Sequence, residues 1–371
     1  MHVTSNRRRA GKIVATAVVA GALVIGVPAP SMAQQPDVTP VAEGLDGPRG
    51  VAVTKSGRVV FSETDGSFSV LTTKGKHAGT VKQLGSVLGG FPPALDVGHG
   101  NRIFVLTGGG EPGPGVATLY RWRPGSGVRQ VADIAAYQVG DPDPDNVDGG
   151  PPDESNPYGV AALHDGSALV ADAAGNDLLR VYPSGKIITV ARIKPRVVQV
   201  PEELPDEFEG EPLPPAGTPI PSEGVATSVT VGSDGYYYVG ELRGFPATPG
   251  TSQVWRIKPG SKNAVCDPEH PNRGACKRYA DGFTSIVDLE AGPRGKIYVV
   301  ELVQQSWLQW ELGLVDPPLG GLFVIPRRGG TPVELGAGSF VLPGGVGVGK
   351  SGKVYVTAPI FGPGAVLRVR G

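Results

Sequence analysis

The chain has 371 residues and a formal charge of −1, which leaves no electrostatic footprint for nucleic acid or for an anionic membrane surface. Its 57 glycines and 37 prolines bring it near low-complexity composition, yet 40% of its residues are hydrophobic and fall in short alternating runs. That combination predicts many short strands joined by tight turns, with ample apolar material for a core.

The first 33 residues read as a leader. Arg7, Arg8 and Arg9 precede the apolar run "IVATAVVAGALVIGV" (13–27), and Ser31 and Ala33 supply the small residues of a cleavage site. This predicts a secretory signal peptide over 1–33, cleaved near Ala33, and one domain over 34–371. An uncleaved anchor fits less well, because a run of about fifteen residues is short for a bilayer span of about twenty. No other segment could span a membrane, so the mature chain is expected to be secreted, either extracellular or in the cell envelope.

A hairpin pattern then recurs six times. It begins with "GPRGVAVTKSGRVVFSE" (47–63), "FPPALDVGHGNRIFVLT" (91–107) and "NPYGVAALHDGSALVAD" (156–172). It continues with "GVATSVTVGSDGYYYVGE" (224–241), "FTSIVDLEAGPRGKIYVVE" (283–301) and "LPGGVGVGKSGKVYVTA" (342–358). Each reads as an alternating strand, a turn ending in glycine, and a second strand rich in Val, Ile and Tyr. A third strand ("LYRWRPG", "LLRVYPSG", "VWRIKPG") and a fourth ("VRQVADI", "KIITVARI") follow in most units. Four short antiparallel strands repeated about every 45 to 65 residues predict an all-β fold, a six-bladed β-propeller. The sixth unit stops at its third strand, "VLRVRG" (366–371). "TPVAEGLDGPRG" (39–50) resembles the missing fourth, so the N-terminal strand is expected to complete the last blade and leave no exposed edge.

Three separated motifs carry a family resemblance: "ESNPYGVAALHDGSALVADAAGNDLLRV", "GELRGFPATPGTSQVWRIKPG" and "YADGFTSIVDLEAGPRGKIYVVE". Through them nearly the whole mature chain resembles the secreted ScyD/ScyE family. The resemblance implies an exported propeller of NHL-like repeats and says little about any reaction.

Blade topology sorts the loops by face. Calling the four strands of a blade a to d from the axis outward, the b–c loops and d–a connections open on one face, here the top. The a–b hairpins and c–d turns lie below. Four long insertions share the top: 141–155, 194–224, 242–252 and 303–321. One-sided elaboration of a repeat scaffold marks the functional face. A small molecule or a protein is the expected partner there, with Asn156, Tyr158, Trp307 and Trp310 as candidate contacts. Two tryptophans in one loop are costly to expose, so they either plug the channel or meet a ligand.

Four second strands end in an acid: Glu63, Asp172, Glu241 and Glu301. Around one channel mouth they would repel one another unless compensated, and with Asn156 they could hold a cation such as Ca²⁺. Alternatively, each accepts hydrogen bonds from amides of its own b–c turn. "DPDPDNVDGG" (141–150) lacks the glycine and glutamate positions of an EF-hand. It reads as a solvated top-face loop or a weak calcium binder. The acidic run 202–211 reads as an exposed, extended loop, with a hold on a basic partner as the other reading.

Cys266 and Cys276 are ten residues apart, and in an oxidising compartment they are expected to close a local disulfide. Zinc fits poorly, since only His270 lies nearby. Nucleophilic catalysis finds no elbow or zinc-protease motif among His77, His99, His164 and His270. Three functions remain: a binding or scaffold propeller, a divalent-metal (calcium)-dependent, lactonase-like hydrolase using the channel-mouth carboxylates, and a structural role in the cell envelope.

Overall fold

The repeated hairpins grow into sheets in chain order. The computed structural model describes residues 37–208 and 210–370, so the leader expected over 1–33 lies outside them. Blade one consists of Val51–Val53, Val59–Ser62, Ser67–Leu71 and Val81–Ser86, and blade two of Ala94–Val97, Ile103–Leu106, Thr118–Arg123 and Gly127–Asp133. Blade three takes Pro157–Ala162, Ala168–Asp172, Asp177–Val181 and Ile187–Ile193. Blade four takes Ala226–Val231, Tyr237–Glu241, Ser252–Ile257 and Cys276–Phe283. Blade five takes Ile286–Ala291, Ile297–Glu301, Gly321–Ile325 and Val333–Glu334. Blade six runs Gly345–Val348, Val354–Ala358 and Pro363–Val369, and its outer place is filled by Val38–Asp46. That strand lies antiparallel to Pro363–Val369, with Val38 opposite Val369 and Asp46 opposite Pro363.

Every blade is sandwiched between two others, so both faces of its b strand are buried. This is why Val59–Ser62, Ile103–Leu106 and Ile297–Glu301 read as apolar runs rather than as strict alternation. The buried apolar side chains separate into six clusters, each formed where two blades meet. At the seam between blades six and one, Leu45 of the N-terminal strand packs with Val51, Phe61, Tyr355 and Val366. Near the axis the blades approach too closely for side chains. A Cβ on Gly159 would stand 2.7 Å from the carbonyl oxygen of Thr227 in blade four, and one on Gly345 would stand 2.4 Å from that of Arg49. Backbone cannot yield at such distances, so these a-strand positions require glycine.

Two connections hold more structure than their composition predicts. The 194–224 insertion forms a ribbon, Arg196–Gln199 against Pro219–Ser222, with Glu207–Phe208 paired to Glu211–Pro212 farther out. The c–d segment of blade four contributes Ala264–Cys266, which adds a parallel fifth strand beside Ile187–Ile193 of blade three. Cys266 is disulfide-bonded to Cys276, the first residue of the outer strand of blade four. The bond therefore staples two neighbouring blades as well as closing a loop. Among the described residues helix is confined to the single turns Ile134–Gln138 and Trp307–Glu311 and a few 3₁₀ turns. Among the described residues no helix is long and apolar enough to cross a membrane.

Candidate functional site

The four b-strand acids are placed alike but do not converge. Glu63 Oε1 accepts from the amide of Asp46 at 3.0 Å, Asp172 Oδ1 from Asn156 at 2.7 Å, and Glu301 Oε1 from Thr284 at 2.7 Å. In each case the donor lies at the end of an outer strand or on the d–a connection leading into the same blade. Glu241 is satisfied by side chains instead: it pairs with the Arg243 guanidinium and accepts from Trp255 Nε1 at 3.2 Å. Among the described residues the four acids do not come within reach of one metal, because each carboxylate is taken up by donors of its own blade or at the entry to it. Backbone amides of the b–c turns contribute little: among the described residues Gly175 N reaches Asp172 at 3.4 Å, while in blade four it is the side chain of Arg243 that comes from the b–c loop. Burial raises all four carboxyls above their ordinary values, Glu241 to about 7 despite Arg243, and Glu301 to about 8 despite the Thr284 amide.

The channel mouth is built from residues the repeat pattern does not single out. Arg49, on the connection into blade one, is buried. Its Nη1 donates to Pro92 O at 3.1 Å, and its Nη2 donates to the carbonyl of Tyr158 in blade three. The guanidinium lies 3.7 Å from the Tyr158 ring centroid and 5.2 Å from that of Phe91. Stacking on aromatic faces compensates a guanidinium withdrawn from water. Tyr158 also packs against the apolar cluster of blades five and six, as do Leu242, Trp307 and Trp310. Since blades three and six oppose each other across the ring, this contact spans the mouth.

Below lie Asp96 in blade two and Asp288 and Glu290 in blade five, all on a strands. Asp96 Oδ2 accepts from Ala162 N and Asp288 Oδ2 from Val346 N, both at 2.7 Å, so each acid clasps the next blade. Glu290 accepts from Thr230 Oγ1 at 3.3 Å. Protein surrounds all three carboxyls, although the residues themselves are only part-buried. Burial pushes Asp288 to about 7, with Arg49 opposing the shift, and raises Glu290 well above its ordinary range, with Asp96 and Asp288 adding to the rise. Acids inside inner strands, in "ALDV" and "VDLE", were the signal available for these groups.

The two tryptophans divide the roles open to them. Trp307 belongs to the packing: its Nε1 donates to Arg243 O at 2.9 Å and its amide to Ser285 Oγ at 3.0 Å. Trp310 stacks on Phe361 of blade six, with centroids 5.8 Å apart and planes 24° apart. Phe361 is 49% exposed. Asn156 uses its Oδ1 to accept from Gly109 N at 2.9 Å, which ties the b–c loop of blade two to the start of blade three.

The acidic stretch 141–155 is not a uniformly solvated loop. Asp153 and Glu154 are exposed, whereas Asp143 is buried and accepts from Asn176 Nδ2 at 2.9 Å. The same Nδ2 donates to Glu223 Oε2 at 3.0 Å, and Glu223 Oε1 accepts from Val147 N at 2.8 Å. Asp141 meets Arg192, and Asp172 stands beside Asp177, whose carboxyl is raised well above its ordinary range by burial and by Asp172. Among the described residues, the group of three acid or histidine ligands within reach of one metal is Asp267, Glu269 and His270, in the disulfide loop.

No protein-family model matches this chain, and no curated protein does. Solved structures do. A gluconolactonase from Xanthomonas campestris is similar with a TM-score of 0.54 at 10% identity, over 90% of this chain and 89% of that one. A glucose dehydrogenase gives 0.53 at 12% over 91% and 100%, and a streptogramin B lyase 0.49 at 14% over 90% and 97%. At these identities the likeness reaches the fold alone, and the chain is a six-bladed β-propeller.

Proposed function

We propose that this chain is an exported propeller of the ScyD/ScyE kind that takes a small-molecule ligand or a protein partner on its top face, with no reaction assigned. One observation carries the reading. Aromatic side chains from separate blades converge at the mouth, with Phe91 and Tyr158 on Arg49 and Trp310 on Phe361, and Phe361 is left half exposed. Concave or flat surfaces with aromatic anchors and one fixed cation suit recognition. The apolar leader and the Cys266–Cys276 bond support export.

A calcium-dependent, lactonase-like hydrolase is the second reading, favoured by the channel acids Asp96, Asp288 and Glu290. The exported protein, titrated with panels of saccharides and planar aromatic acids, separates the two. Binding predicts a shift of tryptophan emission and an affinity at least tenfold weaker in Phe361→Ala, with little change in melting temperature. Turnover of sugar lactones that stops on chelation, without any tryptophan response, would overturn the binding reading in favour of the hydrolase.

A further inference from the structure

The shoulder of blade three holds more negative charge than its own cations balance. Asp172 and Asp177 are cross-strand partners closing the b–c turn, and like charges directly opposite on a sheet repel. Asp141 adds a third carboxylate. The arginine among them, Arg192, is committed to Asp141, with Nη2 2.5 Å from its Oδ1, while Nη1 stands 3.8 Å from Asp177 Oδ2. Counted as ionised, three carboxylates against one guanidinium leave a surplus of two, and both Asp172 and Asp177 are fully withdrawn from solvent.

What lies between these two acids is neutral. Gln138 Nε2 is 3.1 Å from Asp172 Oδ2 and 3.3 Å from Asp177 Oδ2. Gln138 is only 1% exposed, yet its Oε1 has no hydrogen-bond partner, and neither has Asp177 Oδ1. Buried acceptors left unpaired are expensive, and this network holds two of them against one unpaired donor, Arg192 Nη1, which stands too far from Asp177 to reach it. A half-turn of the Gln138 amide exchanges its nitrogen and oxygen at little cost in shape. The carbonyl oxygen then joins oxygens of Asp172 and Asp177, with Ser155 Oγ at 2.6 Å from Asp172 Oδ2. Gly175 keeps the place open, since a Cβ there would stand 2.3 Å from Gln138 Nε2 and 3.5 Å from Asp177 Cγ.

We propose that this shoulder is a calcium site, with Asp172, Asp177, Gln138 and Ser155 as protein ligands, which ties the acidic segment 141–155 to the turn 172–177. The donors are all oxygen, two of them carboxylates, in an irregular arrangement that suits Ca²⁺ better than the strict octahedron of Mg²⁺. Water completes the shell. The site lies off the channel, shares only Asp172 with the ring expected from sequence, and does not depend on what the top face binds.

Calcium titration of the chelator-treated, exported protein by calorimetry, with melting curves in Ca²⁺ and in EGTA, tests this. One Ca²⁺ per chain is expected, with a melting temperature several degrees higher in Ca²⁺ and a smaller rise in Mg²⁺. Asp177→Asn preserves shape and removes charge. It should weaken calcium binding at least tenfold and abolish the shift, while melting in EGTA no lower than the native chain. Gln138→Glu should melt lower in EGTA and gain more from calcium than the native chain does. His270→Ala, in the exposed disulfide loop, should leave the calcium response intact. A native chain that neither binds calcium nor melts higher in it overturns the proposal, as does unchanged affinity in Asp177→Asn. If that variant fails to fold, equal destabilisation of Gln138→Glu with and without calcium overturns it instead.

Discussion

Blades three and four both end their second strand in a buried acid, and they satisfy it in opposite ways. In blade four Glu241, with no solvent exposure, meets the equally buried Arg243, whose Nη1 also donates to Ser222 O at 3.1 Å and Glu223 O at 3.2 Å. In blade three Asp172 meets neutral donors only, Ser155, Gln138 and the Asn156 amide, and faces a second acid. Position in the repeat therefore decides where the carboxylate stands, and the insertion beside it decides what neutralises it. Blade four is electrostatically self-contained, whereas blade three is left with a deficit that an outside cation can fill.

Removing the cation of the self-contained blade should have the largest effect. Arg243→Met leaves Glu241 buried and unpaired, and the expected loss is about 3–5 kcal/mol in urea denaturation. The double change Glu241→Gln with Arg243→Met should recover much of it. A loss below about 1 kcal/mol would show that the two blades do not differ as described.

The staple between the two blades comes next. Replacing Cys266 and Cys276 together by serine should cost about 2–3 kcal/mol, since the closed loop is short. Amide exchange should rise first along Ala264–Cys266 and the adjoining end of Ile187–Ile193, where the fifth strand is held. Faster exchange spread evenly over all blades would argue against a local staple.

A further consequence of the buried acids is expected in pH dependence. Burial pushes the Glu301 carboxyl to about 8 and Glu241 to about 7, from an ordinary value of 4.5. Between the ordinary and raised values the folded chain holds protons that the unfolded chain has released. Stability is then greatest below the unfolded value and falls as pH rises through the folded one. The melting temperature should drop between about pH 5 and pH 8.5, and Glu301→Gln should flatten that slope. A melting temperature that rises over the same interval would contradict the burial assigned to these acids.

The architecture was legible because propeller strands are short and local. A hairpin turn ending in glycine, as at Gly57, Gly166 and Gly235, each at positive φ, announces itself in adjacent residues. The acids at the ends of second strands were visible too, but their partners were not. Nothing in the run ending at Glu301 shows that the amide of Thr284 will cap it, nor that Arg243 will turn back onto Glu241. Trp307 and Trp310 look equivalent as "SWLQW", and only the positions of Arg243 and Phe361 separate the packed ring from the stacked one.

Period, strand type, turn chemistry and the spacing of the two cysteines are properties of neighbouring residues, and the sequence by itself determined them. It also assigned the long insertions to one face, since alternating strand direction requires it. The meeting of Arg49 with Tyr158, of Asp96 with the opposed Asp288 and Glu290, and of Gln138 with Asp172 and Asp177 was decided by the closed ring. Those pairs join residues from different blades or from a connection folded back on its sheet. Burial there changes the energy of a charge far more than any local pattern can reveal.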